Sequence, residues 1–543
     1  MKKDRKNIGG WVLVAIFFAL NGFIIFNGTK YLIHSDGATA VLLAREQWMQ
    51  KKMYPVGWCY GTDIWNIGLN TLILPFFRFC RHWTDARACA VIIQTMLMIL
   101  LILGFQKAKI LGDKIWMVVL CMLLPISEVV SEHWYFQATY MTLMIFLGLM
   151  ILFTYLLFSS KNKVRIAGTI LLTGVLCLRI SMGYMMVLVF VFPMIMTIII
   201  QLVRERYQEI TDVEKRANTK KYLWAAIILT AGTFLGVAYN YYLIHTLNYA
   251  GNATSGYQFI DYREIHPDQL LQGLLRLYGA ADKGAGLLSR SGILKAFSFA
   301  YMILMLFMIP YQLIRGFDKL KNEYQRIFIF FSGISSFAVA YLYIFTGMDQ
   351  SRYLLWIYFY TIILGGIWLD NYELFQYRYK KEIKWVITIF FAALFGVVYL
   401  YYMTYDYDNN PDVLGVNNDN VFYKADYGLV EYLEEKGYTF GYAPYWTAYS
   451  NYVISDGKVR LAALELDWTA PYLWLTSEKW YEEEAHEGDC FIVIGDDMFE
   501  NLPEEYKEKA SAKDRYEEYT IYKYENIGIL KQIWKDIKRG ETE

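Results

Sequence analysis

Up to about residue 403 the chain repeats apolar runs of roughly twenty residues, the length needed to cross ~30 Å of hydrocarbon. Beyond that point no such run recurs. This one feature excludes an ordinary soluble fold for the first three quarters of the sequence. It predicts an all-α polytopic membrane region, residues 1–403, followed by a smaller α/β domain over 404–543. The composition agrees: 56% of residues are hydrophobic and 18% aromatic, but only 19% are charged, against about 25% in soluble domains.

About eleven transmembrane helices are expected, at 11–28, 86–106, 115–130, 135–158, 166–179, 183–203, 222–244, 293–314, 327–346, 352–369 and 385–403. Ile166 to Val203 is too long for one crossing, and the break at Arg179–Gly183 predicts a tight hairpin. Ile64 to Phe79 is short and carries Asn66, Asn70 and Pro75, so it reads as a helix lying at the interface. The first apolar run, Trp11 to Phe26, ends without a small-residue cleavage pattern and reads as a retained span.

Orientation follows from Lys and Arg in the connecting segments. Segments 1–10, 107–114, 161–165, 204–221, 315–326 and 370–384 carry 24 Lys/Arg in 68 residues. The opposite set, 29–85, 131–134, 179–183, 245–292 and 347–352, carries 12 in 120. The bias places the N-terminus in the cytoplasm and the C-terminal domain outside. Few prolines (10) beside abundant Lys, Ile and Tyr suit a bacterial plasma membrane. Loops 29–85 and 245–292 are long for a helical bundle, where 2–8 residues are usual. Both fall on the side of the C-terminal domain, which marks that face as the working one.

The formal net charge of zero arises by cancellation, since 404–526 holds 27 Asp/Glu against 10 Lys/Arg. An acidic domain on a basic membrane region argues against nucleic acid as a partner. The six cysteines show neither a disulfide framework nor zinc-ligand spacing. In the C-terminal part a helix is expected over 428–437, with strands at 438–443, 451–454, 458–464, 490–494 and 518–524. The closing segment 527–539 is amphipathic and basic; packing on the domain and resting on lipid both fit it.

Candidate chemistry sits in the long loops and at the outer helix ends. His34-Ser35-Asp36-Gly37 opens the first loop, and Asp36 suits either a base or a helix cap. Asp63 precedes the interfacial helix and admits the same two readings. Glu128, Glu132 and His133 crowd the outer end of the third and fourth spans, where ionisable groups need partners or water. Arg179 and Arg352 stand at outer helix lips, able to snorkel or to grip a phosphate. Arg263 and His266 lie in the second long loop with aromatic residues, a mixture that suits sugar or phosphate recognition.

The order of these features resembles the GT-C class of polytopic glycosyltransferases, in particular the branch of protein O-mannosyltransferases and the lipid A aminoarabinose transferase. The resemblance rests on Asp36-Gly-Ala-Thr-Ala-Val-Leu-Leu-Ala44-Arg45-Glu46, Tyr54-Pro55, Gly61-Thr-Asp63-Ile-Trp-Asn and Thr84-Asp85-Ala86-Arg87. Later in the chain it rests on Ser351-Arg352-Tyr353-Leu354-Leu355 and Gly441-Tyr-Ala-Pro-Tyr-Trp446-Thr-Ala-Tyr449. The family often has a second acid directly after the loop Asp, where this chain has Gly37, and its usual Lys-Pro-Pro run is absent. Glu132 is then the alternative to Asp63 as the second acid.

The resemblance implies a sugar donor on a polyprenyl phosphate, a glycan, lipid or protein acceptor, and no cofactor or metal. It assigns Asp36 as general base with Asp63 assisting, and Arg352 and Arg179 as phosphate ligands. His34, Glu132, His133, Arg263 and His266 would line the site. A transporter or lipid flippase remains the rival reading, but that class favours internal repeats, and none is found. A non-catalytic scaffold would leave the two long loops unexplained.

Overall fold

In the computed structural model, residues 2–207, 212–249, 259–261, 265, 267–281, 286, 288–320, 322–346, 350–372, 380–403, 425–468, 470–496, 498 and 502–540 are described. Among them nine helices are long and apolar enough to span a bilayer, from Ile8–Leu32 to Ser351–Asn371. A bent pair, Ile115–Leu123 and Glu128–Phe136, makes a possible tenth, and Trp385–Tyr401 is a shorter apolar helix. The protein is a multi-pass membrane protein. The hairpin is present: Asn162–Met182 ends at Gly183, and the next span starts at Val187.

The expected third span, 115–130, is not one helix. It turns by 94° at a break of four residues. Pro125 in that break disfavours helical backbone at Leu124, which is extended (φ −74°, ψ 113°). Ser127 then caps a new helix by accepting from the Val130 amide. Despite the bend, the pair follows the whole length of the first span. Trp116 lies against Gly10, the Leu123 carbonyl accepts from Asn21 (3.2 Å), and Phe136 lies against Gly28. The chain therefore climbs from one end of the first helix to the other.

The interfacial helix expected over 64–79 is also smaller than read. Only Leu69–Ile73 is α-helical, followed by a tighter turn over Leu74–Arg78 with Pro75 near its start. Residues 64–68 are irregular because their polar groups are used elsewhere. Asn66 donates to the Tyr54 hydroxyl (3.2 Å) and the Ile64 amide to Met182 O (2.8 Å).

Seven short strands complete the described structure: β1 (Trp58–Cys59), β2 (Phe440–Pro444), β3 (Arg460–Leu464), β4 (Thr476–Ser477), β5 (Cys490–Gly495), β6 (Ala512–Tyr516) and β7 (Tyr519–Tyr524). Five form one sheet in the order β3-β2-β5-β7-β6, parallel through β3-β2-β5 and antiparallel thereafter. The expected strand at 451–454 is instead the end of a helix, Tyr445–Ile454. That helix is the parallel β2–β3 crossover, which requires a return path across the sheet. The closing helix Ile527–Gly540 packs on this unit, with Ile527, Leu530, Ile533 and Trp534 buried.

The C-terminal unit is joined to the first long loop by β1–β4 pairing, Trp58 opposite Ser477 and Cys59 opposite Thr476. Asp456 adds a second clasp, accepting from the Trp83 amide (2.7 Å) and meeting His82 Nδ1 (2.6 Å). The second long loop joins through a Tyr60–Tyr249 bridge, with the Tyr60 amide donating to Asn248 O (2.9 Å).

Candidate active site

Between the spans and the C-terminal unit lies a cavity of about 960 Å³. Asp36, Asp63, Arg179 and Arg352 all line it, together with Trp474 and Leu475 of the C-terminal unit. Four groups from three separate parts of the sequence, the first long loop supplying both carboxylates, thus share one space. Much of the remaining lining is apolar, including Leu143, Leu188, Val237 and Trp356.

Asp36 stands in the first turn of the helix Ser35–Gln50, where the unpaired amides favour a carboxylate. It is not the cap. That position is His34, and no side chain caps the helix. The Asp36 carboxylate is turned to other partners. Oδ1 accepts from the Tyr445 hydroxyl (2.7 Å) and Oδ2 from Gln137 Nε2 (3.3 Å). Arg352 approaches Oδ2 to 3.8 Å from a one-turn helix, Ser351–Leu354, leading into the span Leu355–Asn371. Asp36 and Arg352 are 22% and 24% exposed, so this pair is neither sealed nor fully solvated.

The second pair is Asp63 with Arg179, at 2.9 Å. Arg179 sits at the hairpin end of its helix, is fully buried, and lies 5.7 Å over the Trp65 ring. Asp63 is not a helix cap, since the nearest helix begins at Leu69. Gly183 is required by this geometry: a Cβ there would overlap the Asp63 carboxylate.

His34, Glu132 and His133 are brought together, but behind Asp36 rather than on the cavity wall. His34 Nε2 is 3.3 Å and His133 Nε2 3.8 Å from the Glu132 carboxylate. His133 Nδ1 meets Gln137 Oε1 at 2.5 Å, and Gln137 contacts Asp36, so a polar chain links Glu132 to Asp36. Arg263 and His266 lie outside the described residues. Among the described residues no three His, Cys, Asp or Glu side chains converge to hold a metal ion.

Three groups to which the sequence reading gave no role complete the site. Gln137 and Tyr445 hold Asp36 directly. Arg87, fully buried, donates Nε to Gly37 O (3.1 Å) and an NH2 to Phe136 O, tying the Asp36 helix to the Gln137 turn. A buried Arg in a span carries a strong signal of this kind; Gln137 and Tyr445 carry none before folding. Gly37 packs so closely that a Cβ would stand 3.3 Å from both Arg87 and Phe136 O. At the position where the family often has its second acid, a side chain would require Arg87 or the Phe136 carbonyl to give by a few tenths of an ångström.

Comparison with solved structures shows a shared fold at low sequence identity. The chain is similar to ArnT from Cupriavidus metallidurans, whose crystal structure was determined bound to undecaprenyl phosphate. The TM-score is 0.51 at 12% sequence identity, covering 95% of this chain and 98% of that one. No family model matches the sequence, and no curated protein does.

Proposed function

We propose that the protein transfers a sugar from a polyprenyl-phosphate donor to a cell-envelope glycan, lipid or protein acceptor outside the cytoplasm. The observation that carries this reading is the meeting of Asp36 and Arg352, 3.8 Å apart, in one partly apolar cavity. A carboxylate suits proton abstraction, a guanidinium suits a phosphate, and apolar walls suit a lipid-linked substrate. The fold shared with ArnT adds support.

In this mechanism the donor phosphate draws Arg352 away from Asp36. The acceptor hydroxyl oxygen attacks the anomeric carbon from the face opposite the phosphate. Its proton passes to Asp36, the C1–O bond to phosphate breaks, and polyprenyl phosphate leaves carrying the electron pair. A single displacement inverts the anomeric centre. Arg352 stabilises the departing charge, a role for which positioned cations are effective. Arg179, held by Asp63, supplies a second positive charge to the same cavity, and Asp63 orients the acceptor. Residues 1–403 form the membrane domain with a cytoplasmic N-terminus in the plasma membrane, and 404–543 form the extracytoplasmic domain.

The test uses purified protein and a panel of synthetic polyprenyl-phosphate hexoses and pentoses with an envelope extract as acceptor. Asp36→Asn should reduce transfer by at least about a hundredfold, the low end for general base catalysis. Binding of undecaprenyl phosphate should persist in that variant. Transfer at the unaltered rate would refute Asp36 as the base.

A further inference from the structure

Asp36 receives a hydrogen bond from the far end of the polypeptide. Tyr445 opens the helix Tyr445–Ile454 of the C-terminal unit, about four hundred residues after Asp36, and its hydroxyl reaches Asp36 Oδ1 at 2.7 Å. That helix packs along the helix Ser35–Gln50. The contact is built on both sides. The Ser35 hydroxyl is directed at the carbonyls of Tyr445 (2.5 Å) and Trp446 (3.0 Å), fixing the start of the incoming helix. The Tyr445 ring is buried, and the rings of Trp446, Tyr449 and Tyr472 lie 5.0, 5.2 and 5.5 Å away.

The two carboxylate oxygens consequently differ. Oδ1 is occupied by a phenol that burial and the adjacent carboxylate keep protonated well above the usual tyrosine range. Oδ2 is shared by Gln137 and Arg352, and the latter is the partner a phosphate would remove.

We propose that Tyr445 is a positioning residue of the C-terminal unit, holding Oδ1 of Asp36 so that Oδ2 is presented to the acceptor, and that docking of this unit is therefore part of assembling the active site. The proposal rests on Asp36 being the base. A rotating carboxylate would present its basic lone pair only part of the time, whereas a pinned one is set before substrate arrives. On this account the unit does more than roof the cavity with Trp474 and Leu475.

Tyr445→Phe removes the hydroxyl and keeps the ring. In the donor assay it should lower kcat by about tenfold or more while the donor KM and undecaprenyl phosphate binding change by less than about twofold. A kcat within twofold of the parent would overturn the proposal, as would a matched loss of binding and rate, which would mark a merely structural role. A thermal-unfolding cycle decides the contact without activity. Asp36→Asn and Tyr445→Phe should each lower Tm, and the double variant by clearly less than their sum. Additive losses would overturn the positioning contact. Failure of every donor to react, with the Tm coupling intact, would instead count against the transferase reading alone.

Discussion

At the scale of single residues, the site depends on charges that neutralise one another before substrate arrives. Asp63 and Arg179 meet at 2.9 Å with the guanidinium fully buried. Removing one partner of a buried pair strands the other, at about 3–5 kcal/mol. Arg179→Ala should therefore lower the Tm in detergent markedly, while Arg179→Ala with Asp63→Asn should recover part of the loss. Absence of recovery would separate the two residues energetically. Arg87 works differently, because its partners are backbone carbonyls. Arg87→Ala removes two hydrogen bonds from a charged donor, at about 1.5–3 kcal/mol each, and Gly37→Asp should strain the same turn by crowding Arg87 and the Phe136 carbonyl. Both are measurable as Tm losses; a Gly37→Asp variant with unaltered Tm and activity would contradict the close packing described.

At the scale of elements, the bend at Pro125 decides how the Gln137 turn reaches Asp36. A straight helix from Ile115 would continue along one axis, whereas the capped restart at Ser127 redirects the chain by 94°. Cysteine-accessibility mapping should find positions near Lys109 and near Thr139 on opposite membrane faces, as the course along the first span requires. Finding both on one face would make the pair a re-entrant loop. In the sheet, Cys490 on β5 is buried, and burial pushes its thiol up to about 12 from 9.0. A raised pKa means the folded state holds the proton more tightly, so its stabilisation is complete below about pH 9 and is lost as the pH climbs toward 12. Alkaline unfolding monitored by tryptophan fluorescence should begin in that window and be less steep in Cys490→Ala.

At the scale of the whole molecule, the C-terminal unit and the first long loop act as one body. They are joined by β1–β4 pairing, by Ser35 under the helix Tyr445–Ile454, and by Asp456 on His82 and Trp83. Replacing Ser35 and Asp456 together by Ala should raise amide exchange in 445–454 and in β1 while leaving the spans protected. Unchanged exchange would show that the sheet pairing alone suffices. The acidic surplus of 404–526, 27 against 10, gives this stretch a strongly negative net charge.

Hydropathy alone determined that the chain crosses a membrane repeatedly and ends in a smaller folded unit, because a bilayer demands a fixed length of apolar helix whatever the packing partners. Position in the first long loop and at outer helix lips made Asp36, Asp63, Arg179 and Arg352 candidates, and the family resemblance supplied the roles expected of them. Hydropathy misjudged 451–454 and 115–130, where a crossover requirement and a proline overrode local apolar character. It gave no role to Gln137 or Tyr445, which are ordinary residues until folding sets them against one carboxylate. Which charges pair, and which oxygen of Asp36 each partner takes, depends on distances across more than a hundred to four hundred residues of chain. Only the packed tertiary structure sets those distances, since no local propensity encodes them.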